Sequence, residues 1–582
     1  MKRIGTVFTL ACLCCYASLT GAQQAADGFA PEIATGISVQ TMKTANDFMI
    51  SAANPHAAQA GHDVLARGGN AIDAMVATQM MLGLVEPQSS GLGGGAFLVY
   101  YSADNDSITT FDGRETAPMA ATPTLFQDDQ GEKLKFWDAV VGGLSVGTPG
   151  TVKLMFETHK LHGSLPWESL LQPTIELAEQ GFSVSDRLNK MITNDVERLS
   201  VHPDTKAYFF DAEGNPLPVG HLLKNQAYAD TLKKIAAGGA DAFYKGDIAE
   251  ALVGKVNSAA NPGVLSTADL ANYVIKEREP VCVSYREHNV CGMGPPSSGA
   301  LTVGQILGTV ESFDIASLGP TNVESWRLIG DASRLAFADR GRYMADSDFV
   351  PMPVEGLLAP AYLAERSALL QGEAALETVE PGEPEWDHAM LLADDQSIEF
   401  KSTSHFSIVD ADGNVVSITT TIENGFGSRL MSGGFLLNNE LTDFSFATHK
   451  NGIPIANRVE PGKRPRSSMS PTIVMKDGKP YMVVGSPGGS RIIGYVAQTI
   501  IAHLDWGMDV QAAINMPHAV NRFGTYDLEE ETGATALQNE LENIGYKVNV
   551  RGLNSGLHAI VIDGDKLMGG ADPRREGVVL GR

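Results

Sequence analysis

At 582 residues, 43% of them hydrophobic, the chain is long enough for one large bilobed unit or several domains, each with a sizeable core. Its 43 Lys and Arg against 69 Asp and Glu give a formal charge of -26, which argues against nucleic acid or an anionic membrane surface as partner and favours solubility. The 61 glycines fall in short loop motifs without a period, so the sequence holds neither a solenoid repeat nor a low-complexity tract.

Met1, Lys2 and Arg3 precede an apolar run over residues 4–19, with small residues near Ala22: the pattern of a secretory signal over residues 1–22. As a membrane anchor the run is interrupted and shorter than the roughly 18–20 residues required. A lipoprotein cut before Cys12 fits Thr9-Leu10-Ala11 poorly. No later segment is apolar enough to span a bilayer, so the mature chain is expected to be exported and soluble, and periplasmic in a Gram-negative source.

Asn54-Pro55 reads as a helix cap with proline at the first helical position, Gly68-Gly69 ends that helix, and Asn70 can cap a second, buried one over 71–84. Residues 96–101 and 107–111 flank a polar turn as a hairpin. Helical patterns dominate from 150 to 253 and again over 322–344. Cys12, Cys14 and Cys15 belong to the leader, which leaves Cys282 and Cys291 on two short strands around a polar turn. In an oxidising compartment a disulfide between them is favoured; two reduced, buried thiols are the alternative. No Cys/His grouping has zinc spacing, so no metal is expected.

From Gly372 to Lys401 the sequence turns acidic and proline-containing, as suits an exposed loop. Beyond it, 407–409 and 415–421 flank an Asp-Gly turn, and 472–475 and 481–484 flank another. Helices are expected over 490–504 and 510–515, and strands over 546–550 and 558–562. Hairpins bracketed by helices give an α+β class, two mainly antiparallel sheets stacked between helical layers.

At the start of the 407–409 run lies Ser402-Thr403-Ser404-His405. A hydroxyl is a weak nucleophile without a base in reach. A threonine can supply its own if the chain is cut before it, because an α-amino group of pKa about 8 is substantially neutral near physiological pH. Taken alone, this stretch favours an edge strand with surface hydroxyls.

The surrounding motifs change that balance. Asn54-Pro55, Gly91-Leu92-Gly93-Gly94-Gly95, Asp112-Gly113-Arg114-Glu115, Thr403-Ser404-His405-Phe406-Ser407, Asn438 to Phe444, Arg464-Pro465-Arg466-Ser467-Ser468 and Gly485 to Arg491 follow one another in an order and spacing that resembles the γ-glutamyltranspeptidase (glutathione hydrolase) family, from about Asn54 to the C-terminus. The resemblance implies the αββα sandwich of N-terminal nucleophile hydrolases. It also implies self-cleavage between Ser402 and Thr403 into a large fragment, 23–402, and a small one, 403–582, which fold as one heterodimeric unit.

On the same resemblance Thr403 is the nucleophile and new N-terminus. Thr421 is the second threonine that hydrogen-bonds it, unless it is an ordinary cross-strand residue, and the Gly488 and Gly489 amides form an oxyanion hole. Arg114, Ser467 and Ser468 would face a substrate α-carboxylate, and Glu440 and Asp443 its ammonium. Glu423 stands where better-known members carry asparagine, which keeps an acceptor for the ammonium but bears on substrate preference. The implied activity is hydrolysis or transfer of γ-glutamyl groups from glutathione and related amides to water, amino acids or peptides, without a cofactor. A glutaryl or cephalosporin-type acylase is the alternative.

Overall fold

The computed structural model describes residues 38–582 apart from 389, 396, 398, 400 and 401; the leader expected over 1–22 lies outside the described residues. Two seven-stranded sheets are built from β1 (Lys43–Ala45), β2 (Met49–Ala52), β3 (Gly95–Ser102), β4 (Ser107–Gly113), β5 (Lys276–Arg278), β6 (Val281–Tyr285), β7 (His288–Gly292), β8 (Thr403–Val409), β9 (Val415–Thr421), β10 (Thr472–Lys476), β11 (Lys479–Gly485), β12 (His558–Asp563), β13 (Lys566–Ala571) and β14 (Val578–Gly581). The first runs β14-β2-β8-β9-β3-β4-β5 and the second β1-β13-β12-β11-β10-β7-β6, antiparallel between neighbours throughout.

Helices cover both outer faces. Against the first sheet pack α1 (Pro55–Ala66), α2 (Ala71–Val85), α3 (Trp167–Gln180) and α4 (Gln226–Gly238). Against the second lie α5 (Gly299–Val310), α6 (Val323–Tyr343) and α7 (Ile492–Leu504). This is the αββα sandwich. The local signals explain its parts: the Asn54 side chain accepts from the His56 amide, and Asn70 and Asp73 form a capping box that starts α2. Every residue of α2 is buried, which is why its sequence is apolar all round rather than striped.

β8 and β9 lie inside the first sheet, so their period of two sorts residues between two interiors. Phe406, Ile408, Val416 and Ile418 face the helical core. Between the sheets Val409 and Val415 join the second core, while the alternate positions nearer Thr403 are polar: His405 Nδ1 lies 2.9 Å from Thr419 Oγ1 and its Nε2 3.1 Å from Ser407 Oγ. Ser407 donates to the His558 carbonyl at 3.0 Å. Ser51 Oγ donates to Gly570 O at 2.8 Å and sits 3.0 Å from His558 Nδ1.

Cys282 and Cys291 are directly opposite across β6 and β7 and are joined as a disulfide. The strand expected over 546–550 is Lys547–Arg551, paired parallel with Thr525–Glu529 in a separate three-stranded sheet. The stretch expected to be an exposed loop as far as Lys401 differs at its end. Glu399 and Ser402 are buried, because arginines distant in sequence take up the acid.

Candidate active site

Thr403 opens β8 and is the register partner of Thr421, the last residue of β9. Their hydroxyls lie 3.3 Å apart, with Thr403 donating. Thr421 Oγ1 in turn donates to the carbonyl oxygen of Ser402 at 2.9 Å and accepts from the Glu423 amide at 2.8 Å. The hydroxyls on either side of Thr403 point elsewhere: Ser402 donates to Gln88 O at 2.8 Å and Ser404 to Glu86 at 2.7 Å. Arg575 Nη1 donates to the Thr403 carbonyl at 3.0 Å.

Arg114 follows β4 and is fully enclosed. Its guanidinium donates to Glu440, to Asp443 Oδ2 at 2.6 Å, and to the carbonyls of Pro465 and Arg466 at 3.2 and 2.9 Å. Burial works against its charge, but Glu440 and Asp443 raise its pKa above the ordinary arginine value. Burial pushes both acids the other way, above the usual carboxylate range, and Arg114 offsets this only in part. Neighbouring Glu115 is also buried, and burial followed by the Glu440 charge keeps it well above that range.

Glu423 holds a positive φ of 76°, uncommon for a residue with a side chain, and accepts from Asn439 Nδ2 at 2.5 Å. Gly488 and Gly489 lie between β11 and α7 with φ of 139° and 58°. A Cβ on Gly488 would stand 2.8 Å from the Tyr495 ring, so only glycine fits there. Thr403, Thr421, Arg114, Glu423, Glu440, Asp443, Ser467, Ser468 and Gly489 line one pocket; Gly488 adjoins it. The residues picked out along 375 positions of sequence therefore converge. Among the described residues no group of three or more His, Cys, Asp and Glu is arranged to hold a metal.

Three residues that line the pocket, Glu399, Met469 and Ile492, are not among the expected site residues. Glu399 enters from the segment just before Thr403 and is gripped by Arg340 of α6, Arg466 and Ser468. Burial raises its pKa, but Arg340, Arg466 and the Ser468 hydroxyl more than reverse this and hold it at about 2. Arg466 belongs to the Arg464-Pro465-Arg466-Ser467-Ser468 motif, and Arg340 falls in the helical stretch expected over 322–344.

The model of the γ-glutamyltranspeptidase family matches residues 57–582. The chain belongs to the γ-glutamyltranspeptidase family. It is 38% identical over 548 residues to the glutathione hydrolase proenzyme of Bacillus subtilis (strain 168), covering 92% of this chain and 91% of that protein. It is 36% identical over 532 residues to the acylase ACY 1 proenzyme of Pseudomonas sp. (strain SE83), covering 90% and 91%. Among solved structures, the cephalosporin acylase from Bacillus halodurans superposes with a TM-score of 0.82 at 28% identity, over 95% of this chain and 99% of that one. The γ-glutamyltranspeptidase family member described here is thus an enzyme of the γ-glutamyltransferase and glutathione hydrolase class, with an N-terminal nucleophile hydrolase fold. Among its described residues no helix is long and apolar enough to cross a membrane.

Proposed function

We propose that this chain is a proenzyme that cuts itself between Ser402 and Thr403 and then hydrolyses or transfers γ-glutamyl groups. The Thr403 hydroxyl attacks the Ser402 carbonyl, the acyl group shifts from nitrogen to oxygen, and water cleaves the resulting ester. The observation that carries this reading is the Thr403–Thr421–Ser402 chain, in which the hydroxyl to be activated and the carbonyl to be attacked share one hydrogen-bonding neighbour. β8 and β9 lie between β2 and β3, so the 23–402 and 403–582 fragments share both sheets and stay together as one folded unit after scission.

The freed α-amino group then serves as base for its own hydroxyl. Thr403 attacks the γ-glutamyl amide of glutathione or a related compound, expels the amine and forms a γ-glutamyl ester. Water, an amino acid or a peptide takes the acyl group in the second step. The Gly488 and Gly489 amides receive the oxyanion, a contribution of about 3 kcal/mol per donor in comparable sites. Arg114, Ser467 and Ser468 frame the substrate's α-carboxylate, and Glu423, Glu440 and Asp443 supply acceptors for its ammonium. No cofactor enters. The chain acts outside the cytoplasm after loss of residues 1–22, in the periplasm of a Gram-negative source, where the Cys282–Cys291 disulfide is stable.

A denaturing gel with N-terminal sequencing, read beside γ-glutamyl-p-nitroanilide turnover by wild type and Thr403→Ala, tests the reading. Two fragments with a new terminus at Thr403 and activity in the wild type alone support it; an active uncut chain overturns it. A second reading, a glutaryl acylase, is favoured by the likeness to the Bacillus halodurans acylase. Glu423, Glu440 and Asp443 argue against it, because a glutaryl group lacks the ammonium that the first reading sets among them.

A further inference from the structure

We propose that a cavity beside β5, separate from the pocket at Thr403, is a second ligand site that takes a small amphipathic carboxylate with an aliphatic tail.

The cavity measures about 370 Å³, within the range of small-molecule sites, and no residue that lines it also lines the pocket at Thr403. Its mouth is apolar. Met119, Val274 and Phe349 are far apart in the sequence, yet all three line it and stay 67%, 56% and 41% exposed. Exposed apolar side chains scattered singly need no explanation. Three around one concavity leave apolar surface in water that a ligand tail would cover. Gly462, at a φ of 77°, sits between two of them: a Cβ there would stand 3.3 Å from Met119 Sδ and 3.8 Å from Phe349 Cζ. Ala117 and Tyr273, both buried, carry the lining inward.

The polar groups decide what the other end of the ligand is. Both acids at the cavity are already taken up. Asp269 Oδ2 accepts from the Ser266 amide and hydroxyl at 2.8 and 2.6 Å, and its Oδ1 accepts from the Met119 amide at 2.8 Å. Asp348 accepts from Arg278 on both oxygens, at 3.2 and 3.3 Å. Donors, by contrast, are left over. Among the described residues neither Lys276 of β5 nor Asn272 spends a side-chain N–H in a hydrogen bond, and Lys276 Nζ has only a 3.5 Å ion pair with Asp348. Arg464, 3% exposed, keeps an Nε without a hydrogen bond, 3.3 Å from Asp112 Oδ2. A lysine ammonium and an amide offer donors that a carboxylate can accept from. An ammonium head would find saturated acids and an opposing cation.

The site backs onto the active-site arginine without using it. Tyr273 donates its hydroxyl to the Arg114 carbonyl at 2.8 Å, and the Ala117 amide donates to Lys463 O at 2.8 Å. A ligand here and an acyl donor at Thr403 therefore occupy different spaces and do not exclude one another.

Calorimetry on the full protein with octanoate, hexanoate and octanamide tests the site, whatever acyl group the enzyme transfers. Octanoate is expected to bind with a Kd below about 1 mM, and hexanoate about tenfold more weakly for the two methylenes it lacks. Octanamide, the same tail without the charge, should bind about threefold or more weakly than octanoate. Lys276→Met is expected to erase that preference while leaving octanamide unchanged. Ala268→Trp, from an exposed position on the cavity wall, should fill the space and weaken both ligands about tenfold or more. Absence of octanoate binding, equal affinity for octanamide, or a preference that survives Lys276→Met overturns the proposal. So does octanoate binding that survives Ala268→Trp, since the anion would then lie elsewhere. Where the tryptophan variant fails to fold, the Lys276 comparison still decides.

Discussion

Thr421 Oγ1 donates to the carbonyl oxygen of Ser402 at 2.9 Å while accepting from Thr403 Oγ1 at 3.3 Å. The donor sits where negative charge develops if Thr403 adds to that carbonyl. Thr421→Val keeps the shape and removes the donor, so self-cleavage is expected to slow by about 10²–10³-fold, the usual effect of losing one preorganised oxyanion donor. Thr421→Ser should retain most of the rate. A time course of fragment appearance on a denaturing gel checks both; unchanged cleavage in the valine variant refutes the role.

Arg114 holds two enclosed carboxylates, Glu440 and Asp443. Arg114→Met leaves both without their cation, and breaking a buried pair this way costs about 3–5 kcal/mol. The loss is expected to be larger at pH 8 than at pH 5. Burial already raises the pKa of both acids, and without Arg114 they rise further, so at lower pH they bind protons and the unpaired charge disappears. Unfolding by denaturant at the two pH values measures the difference; a loss equal at both would contradict the argument.

Much of this was legible because it is local. Asn54-Pro55 and Asn70 cap their helices, the Asp-Gly turn sets the β8–β9 hairpin, and that register places Thr403 against Thr421. Pairings across the chain were not. β13 and β14 join β1 and β2, more than 500 residues earlier in the chain, and nothing in a short window of sequence announces that. Glu399 was read as part of a solvated acidic loop because composition counts charges without their partners. Its arginines lie 59 and 67 residues away and meet it only in the folded chain.

The seam between the sheets holds His405 and His558, and His518 is buried nearby. Burial lowers all three pKa values, that of His558 to about 3 although Asp572 raises it, with Arg575 lowering it further. A ring kept neutral in the fold takes its proton on unfolding. Its contribution is complete above the ordinary histidine value of about 6.5 and is lost as pH falls toward the folded value, at up to about 1.4 kcal/mol per pH unit for each ring. The raised acids Glu86, Glu440 and Asp443 act in the opposite sense, so the histidine part is isolated by substitution. The drop in melting temperature from pH 7.5 to 5 is expected to shrink in His558→Asn; an identical drop would exclude the histidine origin.

The same seam makes a strong demand on Gly485, the last residue of β11. A Cβ at this position would stand 2.3 Å from His405 Cε1 and 2.5 Å from Nδ1, closer than any real contact. The ring cannot yield without losing Thr419 and Ser407, and those bonds satisfy both of its nitrogens in a site with no water access. Overpacking of this kind costs about 1–3 kcal/mol, and an unsatisfied buried ring adds to it. Gly485→Ala is therefore expected to lower the melting temperature and to slow fragment formation, because His405 is two residues along β8 from Thr403. Removing the ring should relieve the clash, so the pair Gly485→Ala with His405→Ala is expected to be less destabilised than the sum of the single variants, with a coupling of about 0.5–3 kcal/mol. Additive losses would show that the alanine is accommodated elsewhere and that the seam does not transmit strain to the nucleophile strand.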